Sequence, residues 1–161
     1  MVHGLLGGIF DPSILRVYDH GQVSPIAIGN WLSGAQDNGE MVVTDYNDYI
    51  RFENTKYATA YCTAWAKIEK YIDFSRYKKI KVKVKRAYWG YTYANNMDNI
   101  QCLFTITDED LNSILSKSFR TISAEETWEI DVSNINVKAK IEFLLQPSSY
   151  IEVYSIELYR F

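Results

Sequence analysis

The stretch that decides the fold is Lys79-Ile80-Lys81-Val82-Lys83-Val84-Lys85, where four lysines alternate with three β-branched residues. Side chains two apart share one face of a strand, so Ile80, Val82 and Val84 point one way and the lysines the other. A helix would scatter both sets around its circumference. One face of this strand is therefore core and the other meets water. The same period recurs in Ala139-Lys140-Ile141-Glu142-Phe143. It recurs again in Ile100, Cys102, Phe104 and Ile106, which alternate with Gln101, Leu103 and Thr105.

Outward from these anchors, strands are expected near 14–19, 26–32, 40–45, 48–53, 57–65, 78–91, 99–107, 113–120, 127–132, 138–146 and 150–160. Turn-forming groups stand between them, among them Asp19-His20-Gly21, Asp37-Asn38-Gly39, Tyr46-Asn47-Asp48, Asp108-Glu109-Asp110 and Gln146-Pro147-Ser148-Ser149. The only helix candidate, Asp108 to Lys117, reads better as a hairpin, because an acidic turn leads into residues suited to a strand. Many short strands at this spacing define an all-β chain, and the expected architecture is a two-sheet antiparallel jelly-roll β-sandwich. No linker or fixed-period repeat divides the 161 residues. Residues 1–161 are therefore expected to form one domain, with 1–13 a candidate N-terminal arm; a domain of this size buries roughly 70% of its chain surface.

Hydrophobic residues make up 47% and charged residues 23%, which excludes the disordered and fibrous classes. Aromatic content is high at 15%, with thirteen tyrosines, residues suited to strands and to binding surfaces where the hydroxyl stays wet. A net charge of -3 supplies no basic footprint, so neither nucleic acid nor membrane is an expected partner. The apolar start from Met1 to Pro12 lacks a basic region and does not read as a secretory signal. Two cysteines, Cys62 and Cys102, make neither a disulfide framework nor a metal quartet, and are expected to be buried free thiols.

The second half of the chain resembles the galactose-binding-domain-like jelly rolls shared by many carbohydrate-binding modules. Carrying the resemblance are the run from Tyr71 to Val84, the segment Trp128-Glu129-Ile130-Asp131-Val132-Ser133-Asn134-Ile135, and the closing strands Lys140 to Leu145 and Ile151 to Tyr159. It implies a β-sandwich of the kind found in bacteriophage tail proteins and in secreted glycan-degrading enzymes. It transfers no binding residue, because ligand contacts in such modules vary from member to member.

Catalytic chemistry finds few carriers. His3 and His20 are the only histidines, and no phosphate loop, nucleophile elbow or Cys-x-x-Cys is present. The carboxylates Asp108, Glu109, Asp110, Glu125 and Glu126 sit in expected turns, where solvation explains them. No catalytic residue, metal ligand or cofactor is expected, although a structural calcium drawing on Asp108, Asp110 or Asp131 is chemically conceivable.

The residues that follow the lysine row draw more interest. Continued alternation past Lys85 would bring Trp89, Tyr91 and Tyr93 to the exposed face, giving a strand basic at one end and aromatic at the other. Flat rings facing solvent suit the apolar face of a sugar, so Trp89, Tyr91, Tyr93 and Lys85 are the candidate ligand-binding residues. The same register would point Arg86 and Tyr88 inward. A β-bulge near Arg86 would instead change the parity and turn Trp89 and Tyr91 to the core. The lysines admit pairing with glutamates such as Glu142 or Glu152. A further stripe, Tyr57, Tyr61 and Trp65, lies opposite the small residues Ala58, Ala60, Cys62 and Ala64, and either side could face the core.

Two functions fit these observations. The first is a non-catalytic structural or adhesive module of a bacteriophage or prophage particle, located in the virion, with other particle proteins, copies of itself or host glycans as partners. The second is a carbohydrate-binding module of a secreted bacterial enzyme or adhesin, located outside the cell.

Overall fold

The computed structural model of the chain describes residues 13–24, 28–36, 39–56, 62–89, 102–119 and 124–161, with 86–89 described by their backbone alone. In chain order the strands among them are β1 (Ile14–Asp19), β2 (Gln22–Val23), β3 (Trp31–Gln36), β4 (Met41–Asp45), β5 (Ile50–Asn54), β6 (Thr63–Ile68), β7 (Ile72–Asp73), β8 (Lys79–Trp89), β9 (Cys102–Asp108), β10 (Ser113–Phe119), β11 (Glu126–Asp131), β12 (Lys138–Leu145) and β13 (Ser149–Tyr159). All pair antiparallel, in two sheets. A seven-stranded sheet runs β11-β8-β13-β1-β2, with β5 pairing along the first half of β13 and β4 beyond it. A six-stranded sheet runs β10-β9-β12-β6-β3, with β7 on the start of β12. This is the two-sheet jelly-roll sandwich expected of the alternating pattern.

The alternation in β8 does what its period dictates. Ile80, Val82 and Val84 are fully buried between the sheets. Opposing them across the core, β9 contributes Phe104 and Ile106, β12 contributes Ala139, Ile141, Phe143 and Leu145, and β6 contributes Ala64, Ala66 and Ile68. Phe143 is the hub, with ring centroids 5.1 Å from Phe52 and 5.3 Å from Phe104. At one edge Trp128 closes the core against Phe104 and Phe119.

On the outer side of β8 the lysines are paired across the ladder. Lys79 and Lys81 reach Glu129 at 3.4 and 2.8 Å, and Lys83 reaches Glu125 at 2.8 Å. The partners differ from the Glu142 and Glu152 considered from sequence, because Glu142 lies on β12 in the other sheet and Glu152, on the neighbouring β13, pairs with Arg51. Such exposed pairs are screened by solvent and stabilise little, and their value here is register rather than stability.

Two strands start five or more residues later than the sequence expectation. The strand expected over 26–32 runs Trp31–Gln36, because Gly29 adopts φ +71 and the backbone of 28–30 turns to pair with Glu69 and Lys70. The strand expected over 57–65 runs Thr63–Ile68, with 57–61 outside the described residues. The Asp108 segment is a hairpin. The Asp108 carboxylate accepts from the backbone N–H groups of Asp110 and Asn112 at 3.0 and 2.8 Å, while Leu111 takes φ +66.

Cys62 and Cys102 are both buried. Cys102 opens β9 and Cys62 is the residue before β6, and β12 lies between those strands. Two strand spacings of about 4.8 Å separate them, beyond the roughly 7 Å Cα limit for a disulfide.

Candidate functional site

The outer face of the six-stranded sheet carries two rows of side chains that cross the strands. Residues directly opposite in an antiparallel ladder share a face. The register therefore aligns Ser118, Leu103, Leu144, Trp65 and Gly34 on β10, β9, β12, β6 and β3. Two residues along, it aligns Ser116, Thr105, Glu142, Lys67 and Leu32. At about 4.8 Å per strand each row spans roughly 19 Å. One row is apolar at its centre and its neighbour is polar. Their inward-facing counterparts, such as Ala64, Ala66, Phe143 and Phe104, hold the sheet on the core.

Trp65 is seated by Gly34. A Cβ built on Gly34 would come within 2.7 Å of Trp65 Cε2, so the indole leans across the bare backbone of β3. The Lys67 ammonium lies 4.4 Å from the centroid of that ring. Beside it, Glu142 is half-buried, and burial lifts its carboxyl above the ordinary glutamate range, an effect that Lys67 only partly offsets. Thr105, at 3% exposure, has a buried Oγ1 without a hydrogen-bond partner. Lys140, next on β12, lies 4.5 Å from the ring centroid of Tyr71.

The opposite outer face, on the seven-stranded sheet, is rich in tyrosine. The β8–β13 ladder shifts register on both sides of Val153, where Glu152 opposes Arg86, Val153 opposes Val84 and Ser155 opposes Lys83. Lys85 and Tyr154 are thus the extra residues of two neighbouring bulges, with the Lys85 ammonium 5.9 Å from the Tyr154 ring centroid. Tyr154 packs on Tyr49 at 5.5 Å, and Tyr49 stacks on Tyr46 at 4.7 Å. These rings stand over a Arg51–Glu152 ion pair whose guanidinium lies 4.4 Å from the centroid of Tyr150 and 5.4 Å from that of Tyr46. The rings stack on one another and on Arg51, and so cover the ion pair.

Of the residues expected from sequence to meet a ligand, Lys85 joins Tyr154 on this tyrosine face, across the sandwich from Trp65. The backbone of Trp89 is placed opposite Ser149, a buried position, and that of Tyr88 opposite Tyr150. The bulge anticipated near Arg86 is therefore present. The side chains of 86–89, and Tyr91 and Tyr93 altogether, lie outside the described residues. Of the second stripe, Trp65 faces outward and Cys62 and Ala64 face the core, while Tyr57 and Tyr61 lie outside the described residues. Among the described residues no group of three or more His, Cys, Asp and Glu side chains could hold a metal ion. Asp108 and Asp131 accept backbone N–H bonds in their own turns.

No protein-family model matches the sequence, nor does any curated protein. Solved structures do match. A family 11 carbohydrate-binding module from Clostridium thermocellum, in complex with a β-1,3-1,4-mixed-linked tetrasaccharide, is 15% identical, covering 91% of this chain and 95% of its own, with a TM-score of 0.60. The family 11 module of a cellulosomal cellulase of the same organism is 14% identical, covering 92% and 95%, with a TM-score of 0.57. A mutant of a family 29 carbohydrate-binding module is 10% identical, covering 90% of each chain, with a TM-score of 0.52. Strand order, register and these likenesses agree that the chain has the jelly-roll β-sandwich fold of the carbohydrate-binding modules.

Proposed function

We propose that the chain is a non-catalytic carbohydrate-binding module that holds a glycan chain across the strands of its six-stranded sheet. The observation that carries this reading is the pair of rows on the outer face: Leu103, Leu144 and Trp65 offer an apolar strip, and Thr105, Glu142 and Lys67 run beside it. A sugar chain is itself two-sided, with apolar ring faces and hydroxyl edges, and a strip of each kind side by side receives both. The solved neighbours support the carbohydrate-binding expectation over that of a phage-particle component, since the structures named above are carbohydrate-binding modules. Among the described residues the site holds no positioned acid–base pair, and the reading requires none.

Calorimetric titration with a mixed-linked β-1,3-1,4 tetrasaccharide and with cellulohexaose, the ligands found with two of the similar modules, tests it. Binding by the native chain and a loss of about tenfold or more in Trp65→Ala, with the melting temperature nearly kept, is the expected result. Equal affinity in Trp65→Ala would place the ligand elsewhere.

A further inference from the structure

Glu142 and Thr105 face each other directly across β12 and β9, in the middle of the sheet. Buried polar groups are ordinarily hydrogen-bonded, and among the described residues neither of these has such a bond. The Thr105 hydroxyl is buried and unpartnered. The Glu142 carboxylate makes no hydrogen bond or ion pair among the described residues, even though Lys67 stands directly opposite it and Lys140 two residues before it on the same strand. Both lysines are drawn elsewhere, Lys67 over the Trp65 ring and Lys140 over the Tyr71 ring. The centre of the floor thus holds a half-buried acceptor, its two natural counter-ions held aside by aromatic rings, beside a Thr105 hydroxyl that is closed off from solvent.

We propose that Glu142 is the specificity-determining residue of this face, reading adjacent hydroxyls of a neutral sugar, and that this recognition depends on Glu142 being ionised. The inference rests on the glycan-binding reading above. An ionised carboxylate only accepts, and its two oxygens can take hydroxyl protons from two neighbouring sugar carbons. Such charge-assisted bonds are about twice as strong as neutral ones. Protonation converts one oxygen into a donor and removes the charge. A uronate would set its own carboxylate against Glu142 and lose those donors, so neutral chains are favoured over acidic ones.

The direction with pH follows. Burial raises the Glu142 carboxyl in the free protein, and bound sugar hydroxyls stabilise the anion and lower it. Affinity is therefore full above the raised free-state value and falls as pH drops through it, starting above the ordinary glutamate range. Among the described residues the other charged groups on this face are Lys67 from β6 with Glu69 just beyond it, Lys138 and Lys140 from β12, and Asp73 from β7, the Glu69 carboxylate accepting from the Asn30 N–H at 3.0 Å. β9, β10 and β3 add Thr105, Thr107, Ser116, Ser118, Leu32 and Gln36 to the rows, none of which titrates in this range. Ser75 and Arg76 hold Asp73 below its usual range.

Titration of the native chain with cellulohexaose from pH 8 to 4, beside Glu142→Gln, tests the residue. Expected are a fall of about tenfold on acidification in the native chain and a weak, pH-independent Glu142→Gln. Polygalacturonate should bind more weakly than cellulohexaose at pH 7. A flat native profile, or Glu142→Gln following the native curve, overturns this inference while leaving the glycan reading intact if Trp65→Ala still abolishes binding. Absence of binding at every pH overturns both.

Discussion

Substituting Gly34 by alanine adds one methyl group under the Trp65 ring and nothing else. The backbone there accepts alanine, since Gly34 is not among the glycines with positive φ. The new Cβ would stand 2.7 Å from Trp65 Cε2, against an ordinary carbon separation of about 3.5–4.0 Å. The indole must therefore lift by roughly 1 Å. It is the far end of a half-buried side chain, so lifting it costs chiefly its contact with the β3 backbone and the Lys67 stacking, the latter about 0.5–1 kcal/mol. Replacing glycine in a strand by alanine returns about 0.5–1 kcal/mol. The two nearly cancel, and the melting temperature should stay within about 3 °C. The apolar row, by contrast, loses its alignment with Leu144 and Leu103, and affinity for cellulohexaose should fall about five- to tenfold. Differential scanning fluorimetry and calorimetric titration read the two quantities. Unaltered affinity, or a melting temperature lowered by more than about 8 °C, would refute the picture of a seated but movable ring.

Other consequences are structural. Glu152→Ala would leave the Arg51 guanidinium, 24% exposed, without its partner. Breaking such a pair should cost about 3 kcal/mol, a fall of about 6–12 °C in melting temperature, while Arg51→Met with Glu152→Leu should recover most of it. A single Glu152→Ala variant melting like the native chain would contradict the described pairing. Cys62 and Cys102 should both titrate as free thiols after denaturation. In the folded chain Cys102 should react slowly even at pH 9, because burial pushes its thiol up to about 11; rapid labelling of both would show that this end of the core is open.

Much of the fold was legible because period-two alternation is a local signal. Ile80, Val82, Val84, Ile141 and Phe143 each declared their face from sequence alone. The start of β3 was not, since it depends on Gly29 turning against Glu69, a contact forty residues apart. The site was legible only in fragments. Trp65 stood out as an aromatic, yet its inward or outward facing needed the sheet to decide between it and the small residues Cys62 and Ala64. Leu103 carried an overlooked signal, being an apolar residue at the parity opposite to Cys102, Phe104 and Ile106. The alignment of Leu103, Leu144, Trp65 and Gly34 into one row is set by the register of four strands distant in sequence, which no local pattern reveals. Two compensating bulges at Lys85 and Tyr154 likewise ended the simple alternation along β8.

The most direct measurement is a map of amide chemical-shift changes on titrating the isotopically labelled chain with cellulohexaose. The account predicts the largest changes at Gly34, Trp65, Lys67, Leu103, Thr105, Glu142 and Leu144, a band crossing β3, β6, β12 and β9. Changes centred instead on Tyr46, Tyr49, Lys85 and Tyr154, on the other face of the sandwich, would contradict it.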